Sequence, residues 1–180
     1  IGDARNPKTD IGPVVSEAQL KKNLEYLHIG SNDGAKHLMG GDQVEQKTPG
    51  WYLSPALFIN AKNEMKICRE EIFGPIAAVI SVSDYDEALS VANDSEFGLS
   101  AGIVSNDRLI IDHFIANIQA GMVQINLPTA GMDFHAPITG QKNSSFGPPE
   151  KSSYCREFFT NTKVIHANYG KRLNSKREGS

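Results

Sequence analysis

The residues best equipped for chemistry lie in Arg69-Glu70-Glu71-Ile72-Phe73-Gly74-Pro75. A carboxylate offers two acceptor oxygens, and the ring two positions beyond Glu71 offers a flat face. Gly74-Pro75 ends whatever regular structure precedes it, and the alternating apolar run Ile76 to Val82 reads as a strand. Together these suit a loop that carries a polar clamp and a ring at the mouth of a sheet. A solvated acidic turn before a strand fits the same residues, and is the commoner outcome for so short a motif. Cys68, just ahead of the acidic pair, becomes a nucleophile only with a base beside it. In its mixed apolar and charged surroundings a buried structural cysteine is the plainer reading.

Other local motifs fail on context. Gly98-Leu99-Ser100-Ala101-Gly102 fits G-x-S-x-G, but a nucleophile elbow needs a strand before the serine and a helix after it. Here the order is reversed, which makes Ser100 a strand residue. Neither a G-x-G-x-x-G fingerprint nor a G-x-x-x-x-G-K-[ST] phosphate loop occurs. His28, His37, His113, His135 and His166 show neither i, i+4 pairing nor cysteine neighbours at zinc spacing, which argues against a locally built metal site. The basic residues Lys171, Arg172, Lys176 and Arg177 lie among Gly, Asn and Ser, which predicts a disordered tail over 169–180 rather than a nucleic-acid surface.

The bulk numbers set the frame for these residues. A chain of 180 residues with 39% hydrophobic and 22% charged content suits one soluble domain with a proper core. A formal charge of −3 gives no reason to expect nucleic acid. No apolar run is long enough for a membrane span, and no signal-peptide pattern opens the chain. Two distant cysteines do not form a disulfide framework, which points to a reducing, cytoplasmic compartment. The start at Ile1 predicts a piece of something longer or a processed product.

The elements that must position the acidic loop follow from the pattern. Ser16-Glu17-Ala18-Gln19 is a capping box in which Ser16 caps a helical amide and Gln19 reaches back. Leu20, Leu24, Leu27 and Ile29 predict an amphipathic helix over 17–30. Short strands are expected over 35–39 and around Pro55 within 52–59. Residues 75–82 predict a buried strand. Ser83 or Asp84 then caps a helix that ends near Asn93. A strand at 98–104, a helix opened by Asp107 and a strand at 122–125 complete the succession. Strand, helix, strand, helix, strand is the signature of crossovers and a parallel sheet, so the expected class is α/β. Residues 126–149 read as a long loop, 152–157 as a helical turn and 158–167 as a further strand.

Several segments, in order, resemble the C-terminal part of NAD(P)-dependent aldehyde dehydrogenases. Thr9-Asp10-Ile11-Gly12-Pro13 resembles the T-D-x-G-P segment, and Asp33-Gly34-Ala35-Lys36 and Gly40-Gly41 follow in place. Gly50 to Phe58 resembles the G-x-(F/Y)-x-x-P-(T/A)-(L/I) strand. Glu70 to Pro75 is the most recognisable signature. Phe97-Gly98-Leu99-Ser100-Ala101 and Ala120 to Asn126 continue in register. Asn126-Leu127-Pro128-Thr129-Ala130-Gly131-Met132-Asp133-Phe134-His135 is similar to a run in 2-oxoglutarate semialdehyde dehydrogenase-like members. The following P-F-G-G-x-K-x-S-S-(Y/F)-G-P segment departs here at Ile138, Thr139 and Asn143, and losing small residues from a tight turn is expected to alter its geometry.

The resemblance implies a division at residue 157. Residues 1–157 would form the C-terminal part of the catalytic domain, with its parallel sheet and crossover helices, and 158–168 an oligomerisation strand. It implies oxidation of an aldehyde or semialdehyde to the carboxylic acid with NAD or NADP, by a complete enzyme that is a homo-oligomer. It also implies that the nucleophilic cysteine, the general-base glutamate and the dinucleotide-binding domain all lie before the first residue here, so no catalytic residue is expected in this chain and no activity from it alone. Glu71 would accept hydrogen bonds from the nicotinamide ribose hydroxyls, Phe73 would pack beside the nicotinamide, and Asn32 would lie near the outer ribose. Glu70 is expected to pack structurally. The alternative is a non-catalytic assembly module that pairs with a full-length relative through its last strand.

Overall fold

The computed structural model describes residues 1–131 and 133–170. Helix α1 (Glu17–Asn32) opens at Ser16, whose hydroxyl accepts from the Gln19 amide at 3.2 Å. The expected return reach of the Gln19 side chain does not occur; its amide is spent on another loop, described below. Strands β1 (Lys36–Met39), β4 (Ala56–Ile59) and β5 (Ile76–Ala78) form one sheet, β1 antiparallel and β5 parallel to β4. Between them, β2 (Gln43–Val44) and β3 (Tyr52–Leu53) pair antiparallel. The one-turn helix α2 (Lys66–Arg69) separates β4 from β5.

The second half is a βαβ unit. Helix α3 (Tyr85–Asn93) is capped by the Asp84 carboxylate, which accepts from the Glu87 amide, while the Glu87 carboxylate accepts from the Ser83 amide and hydroxyl, each at 2.7 Å. Strands β6 (Phe97–Gly98) and β7 (Ser100–Ile103) follow. Helix α4 (Arg108–Asn117), capped by Asp107, then leads to β8 (Met122–Ile125), which lies parallel to β7. Strand β9 (Gln141–Lys142) pairs with β6, so the long loop is pinned inside its length. A 3-10 turn (Ser152–Tyr154) and α5 (Cys155–Phe159) follow.

Two apolar clusters hold this arrangement. The first gathers Tyr26 and Leu27 of α1, Phe58 of β4, Ile67 of α2 and Ile72. Gly30 lets α1 approach: a Cβ there would stand 3.0 Å from the Phe58 ring and 3.1 Å from Ile67. The second joins Phe114 of α4 and Ile118, which caps its C-terminus, to Ala101, Ile103 and Val123 of the parallel pair.

Three expectations need correction. The parallel succession is not one continuous sheet, because β5 pairs with β4 and β7 with β8, in separate sheets. Strand β5 is not buried: Ala77, Ala78 and Val79 are exposed, since burial of a parallel strand needs cover on both faces. Residues 158–167 do not form a strand. Phe158 and Phe159 close α5, and 160–167 enter no ladder; alternation makes a strand only where a neighbouring backbone is there to pair. The disordered tail expected over 169–180 lies, from residue 171 onward, outside the described residues.

Candidate functional site

The acidic loop is held from one stripe of α1. Gln19, Lys22, Asn23 and Tyr26 fall at i, i+3, i+4 and i+7 and so share a helix face. Gln19 Nε2 donates to the Ile72 carbonyl at 2.8 Å, and Lys22 Nζ to the Glu71 carbonyl at 3.2 Å. Tyr26 O–H donates to the Glu70 carboxylate at 2.5 Å. Asn23, fully buried, lies against Gly74, where a Cβ would stand 2.1 Å from its side-chain amide group. The glycine before Pro75 is therefore a matter of close approach as well as chain breaking.

These bonds separate the two carboxylates. Glu70 is engaged, with Lys66 Nζ 3.7 Å from the oxygen that Tyr26 bonds. The Glu70 bond, with burial added, pushes the Tyr26 phenol up to about 12. Glu70 is thus tied to α1 and α2, while remaining exposed at the groove. Between the two flanking side chains Ile72 is buried, while Glu71 and Phe73 are exposed, Phe73 by 69%. Phe73 stands at φ 59°, a left-handed conformation that costs a non-glycine residue on the order of 1 kcal/mol or more. The anchored neighbours on either side impose it.

Glu71 lines an open groove of about 340 Å³ with Cys68, Arg69, Glu70, Phe97, Leu99, Asn143 and Ser144. Phe73 is on the same loop but not in that lining. Asn32 is not brought to this site: it is the exposed last residue of α1, roughly 15 Å beyond Lys22 along the helix at about 1.5 Å per residue. Cys68 borders the groove, yet burial, with the Glu64 carboxylate added, pushes its thiol up and keeps it protonated. That disfavours a reactive thiol, although Cys68 is half-buried rather than buried as expected.

The far wall includes one of the departures noted above. Ile138, Thr139 and Asn143 all lie outside positive φ, so their side chains bring none of the backbone cost expected from losing glycine. Lys142, at φ 53°, takes the strained position instead. The polar stripe of α1 went unread in the sequence. The signal was present in the 3.6 spacing of Gln19, Lys22, Asn23 and Tyr26, but it was eclipsed by the leucines on the neighbouring face.

Comparison with known proteins decides the family. Residues 1–165 match the family model described as the aldehyde dehydrogenase family. The chain belongs to the aldehyde dehydrogenase family. It is 41% identical over 167 residues to an alpha-ketoglutaric semialdehyde dehydrogenase of Bacillus subtilis, covering 92% of this chain and 34% of that protein. The crystal structure of an NAD-dependent aldehyde dehydrogenase from Sinorhizobium meliloti superposes with a TM-score of 0.85 at 34% identity, over 95% of this chain and 33% of the other. The NAD+ complex of a Bacillus cereus aldehyde dehydrogenase gives a TM-score of 0.82 at 30% identity, over 92% and 33%. The chain thus spans about one third of the length of each of these proteins.

Proposed function

We propose that this aldehyde dehydrogenase segment, 1–157 being the late part of the catalytic domain, supplies the cofactor clamp of an enzyme that oxidises a semialdehyde to the carboxylic acid with NAD+. The observation that carries the proposal is the contrast between Glu70 and Glu71. Both line the open groove, but one carboxylate is occupied by Tyr26 and Lys66, whereas the other accepts no side-chain donor among the described residues. A free carboxylate on a pinned backbone fits a pair of vicinal hydroxyls, since each of its oxygens accepts one bond. When bound, NAD+ supplies the acceptor for the hydride that leaves the substrate carbon. The task of this chain is geometric: Glu71 would hold the nicotinamide ribose, the Phe73 ring would limit the swing of the planar heterocycle, and Asn32 would meet the outer ribose. Such positioning matters because reacting atoms must be held in near-attack geometry. The nucleophilic cysteine and general base belong to polypeptide other than this segment, so the 180-residue chain alone is inactive.

The semialdehyde and NAD+ assignments draw on the names of the Bacillus subtilis relative and of the two structures. The test uses a chimera in which this chain replaces the matching third of the Bacillus subtilis enzyme. Glu71→Gln is expected to lower kcat/KM for NAD+ roughly 10- to 100-fold, about 1.4–2.7 kcal/mol, with the melting temperature unchanged. Unaltered kinetics would rule out the ribose role.

A second reading is favoured by residues 160–167, which enter no ladder among the described residues. Their free backbone groups suit pairing with another copy or a full-length relative, as an assembly module over 158–168. Co-expression with the Bacillus subtilis enzyme tests it: failure to co-purify at any ratio contradicts this reading.

A further inference from the structure

The two walls of the Glu71 groove are tied to the same turn of chain. Helix α3 ends at Asn93, and the last carbonyls of a helix lack partners within it. Lys142 Nζ donates to the Asn93 carbonyl at 2.6 Å and to the Ser95 carbonyl at 2.9 Å. Arg69 Nη1 donates to the Asp94 carbonyl between them and stands 3.2 Å from the Asp94 carboxylate. Two cations, one from α2 and one from β9, therefore meet on three successive carbonyls, where the helix dipole favours positive charge. Each cation also adjoins one wall. Arg69 directly precedes Glu70-Glu71, and Lys142 directly precedes Asn143-Ser144. Beyond Lys142 the wall is fastened to the same segment, with the Asn143 amide donating to the Glu96 carbonyl at 3.0 Å and the Gly98 amide to Ser144 Oγ at 2.9 Å. Lys142 keeps φ 53° in this arrangement, a strained position for a lysine that the contacts of its own ammonium help to hold.

We propose that Lys142, acting with Arg69 across the C-terminal turn of α3, is a positioning residue that sets the gap between Glu71 and the Asn143-Ser144 wall. Its effect on cofactor rests on the reading of Glu71 given above; the clamp itself does not. Without the ammonium, the 141–145 segment keeps its short pairing to β6 but loses its hold on the helix end that also fixes Arg69. The groove then varies in width, which weakens a ligand held between its walls more than it alters a bond made or broken elsewhere.

Spin labels placed at Lys66→Cys and Ser145→Cys in the 180-residue chain, with Cys68 and Cys155 replaced by serine, report the distance between the walls. The intact clamp gives one narrow distribution. Lys142→Met at least doubles its width, and Lys142→Arg restores it; should the methionine variant not fold, Lys142→Gln takes its place with the same expectation. A methionine or glutamine variant with the unaltered distribution overturns the clamp. In the chimera, Lys142→Met raises KM for NAD+ at least fivefold while kcat changes less than twofold, and Lys142→Arg recovers most of the loss. A doubled width beside an unchanged KM leaves the clamp standing and overturns the ribose reading of the groove.

Discussion

At the residue scale, the account turns on how two neighbouring glutamates acquire different tasks. Their side chains are chemically identical, and nothing in Glu70-Glu71 distinguishes them until Tyr26 engages the first. The exposed Phe73 with its positive φ is the mark of a residue positioned by its surroundings rather than by its own preference. Gly74→Ala is expected to destabilise the chain by about 1–3 kcal/mol, because its Cβ would collide with the buried Asn23 amide; chemical denaturation measures it. A different strain has no visible function. Lys151 stands at φ 64°, ψ 177°, a region that glycine alone enters freely. Lys151→Gly is expected to raise stability by about 1–2 kcal/mol, seen as a higher denaturant midpoint at unchanged m. The sequence showed the acidic and aromatic types of this loop, and the family resemblance ranked Glu71 above Glu70. Neither could show the physical cause of that ranking, which is a hydrogen bond spanning 44 positions of chain.

At the element scale, α1 is both a core helix and the support of the site. Its leucines were legible through their spacing, and so were the caps at Ser16 and Asp107 and, as one of two candidates with Ser83, that at Asp84, because a cap is a local interaction. Its polar stripe was not, since its partners come from the loop after α2. Tyr26 permits a test of this support. Its phenol ionises near 10 when unfolded and at about 12 when folded, so between those values the folded state holds a proton that the unfolded state has lost. The stabilisation is complete below pH 10 and is lost as pH rises toward 12. Tyr26→Phe is expected to lower stability by about 1–2 kcal/mol at neutral pH and to flatten that alkaline decline. An equal decline in both proteins, followed by denaturation across pH, would contradict the assigned bond. The element misread from sequence was 158–167, because a strand is a property of two backbones and alternation describes only one.

At the scale of the whole molecule, the α/β class was legible because β7, α4 and β8 form a crossover within one short stretch. The separation of the parallel pairs β4-β5 and β7-β8 into different sheets was not, since which strands become neighbours depends on long-range contacts. Val79, Val104 and Leu127 are exposed and leave apolar surface open. The isolated chain is expected to show no NAD(P)+-dependent oxidation of semialdehydes; turnover abolished by thiol alkylation would overturn the placement of the nucleophile outside it. The central claim, that Glu71 holds the ribose hydroxyls, is tested most directly by a double-mutant cycle in the chimera. The measurement is kcat/KM for NAD+ and for an analogue lacking the hydroxyls of the nicotinamide ribose, with Glu71 and with Glu71→Gln. The account predicts that the analogue loses about 10-fold or more with Glu71, and less than about twofold once Glu71 is replaced. Equal losses in the two proteins would mean that the hydroxyls and the carboxylate never meet.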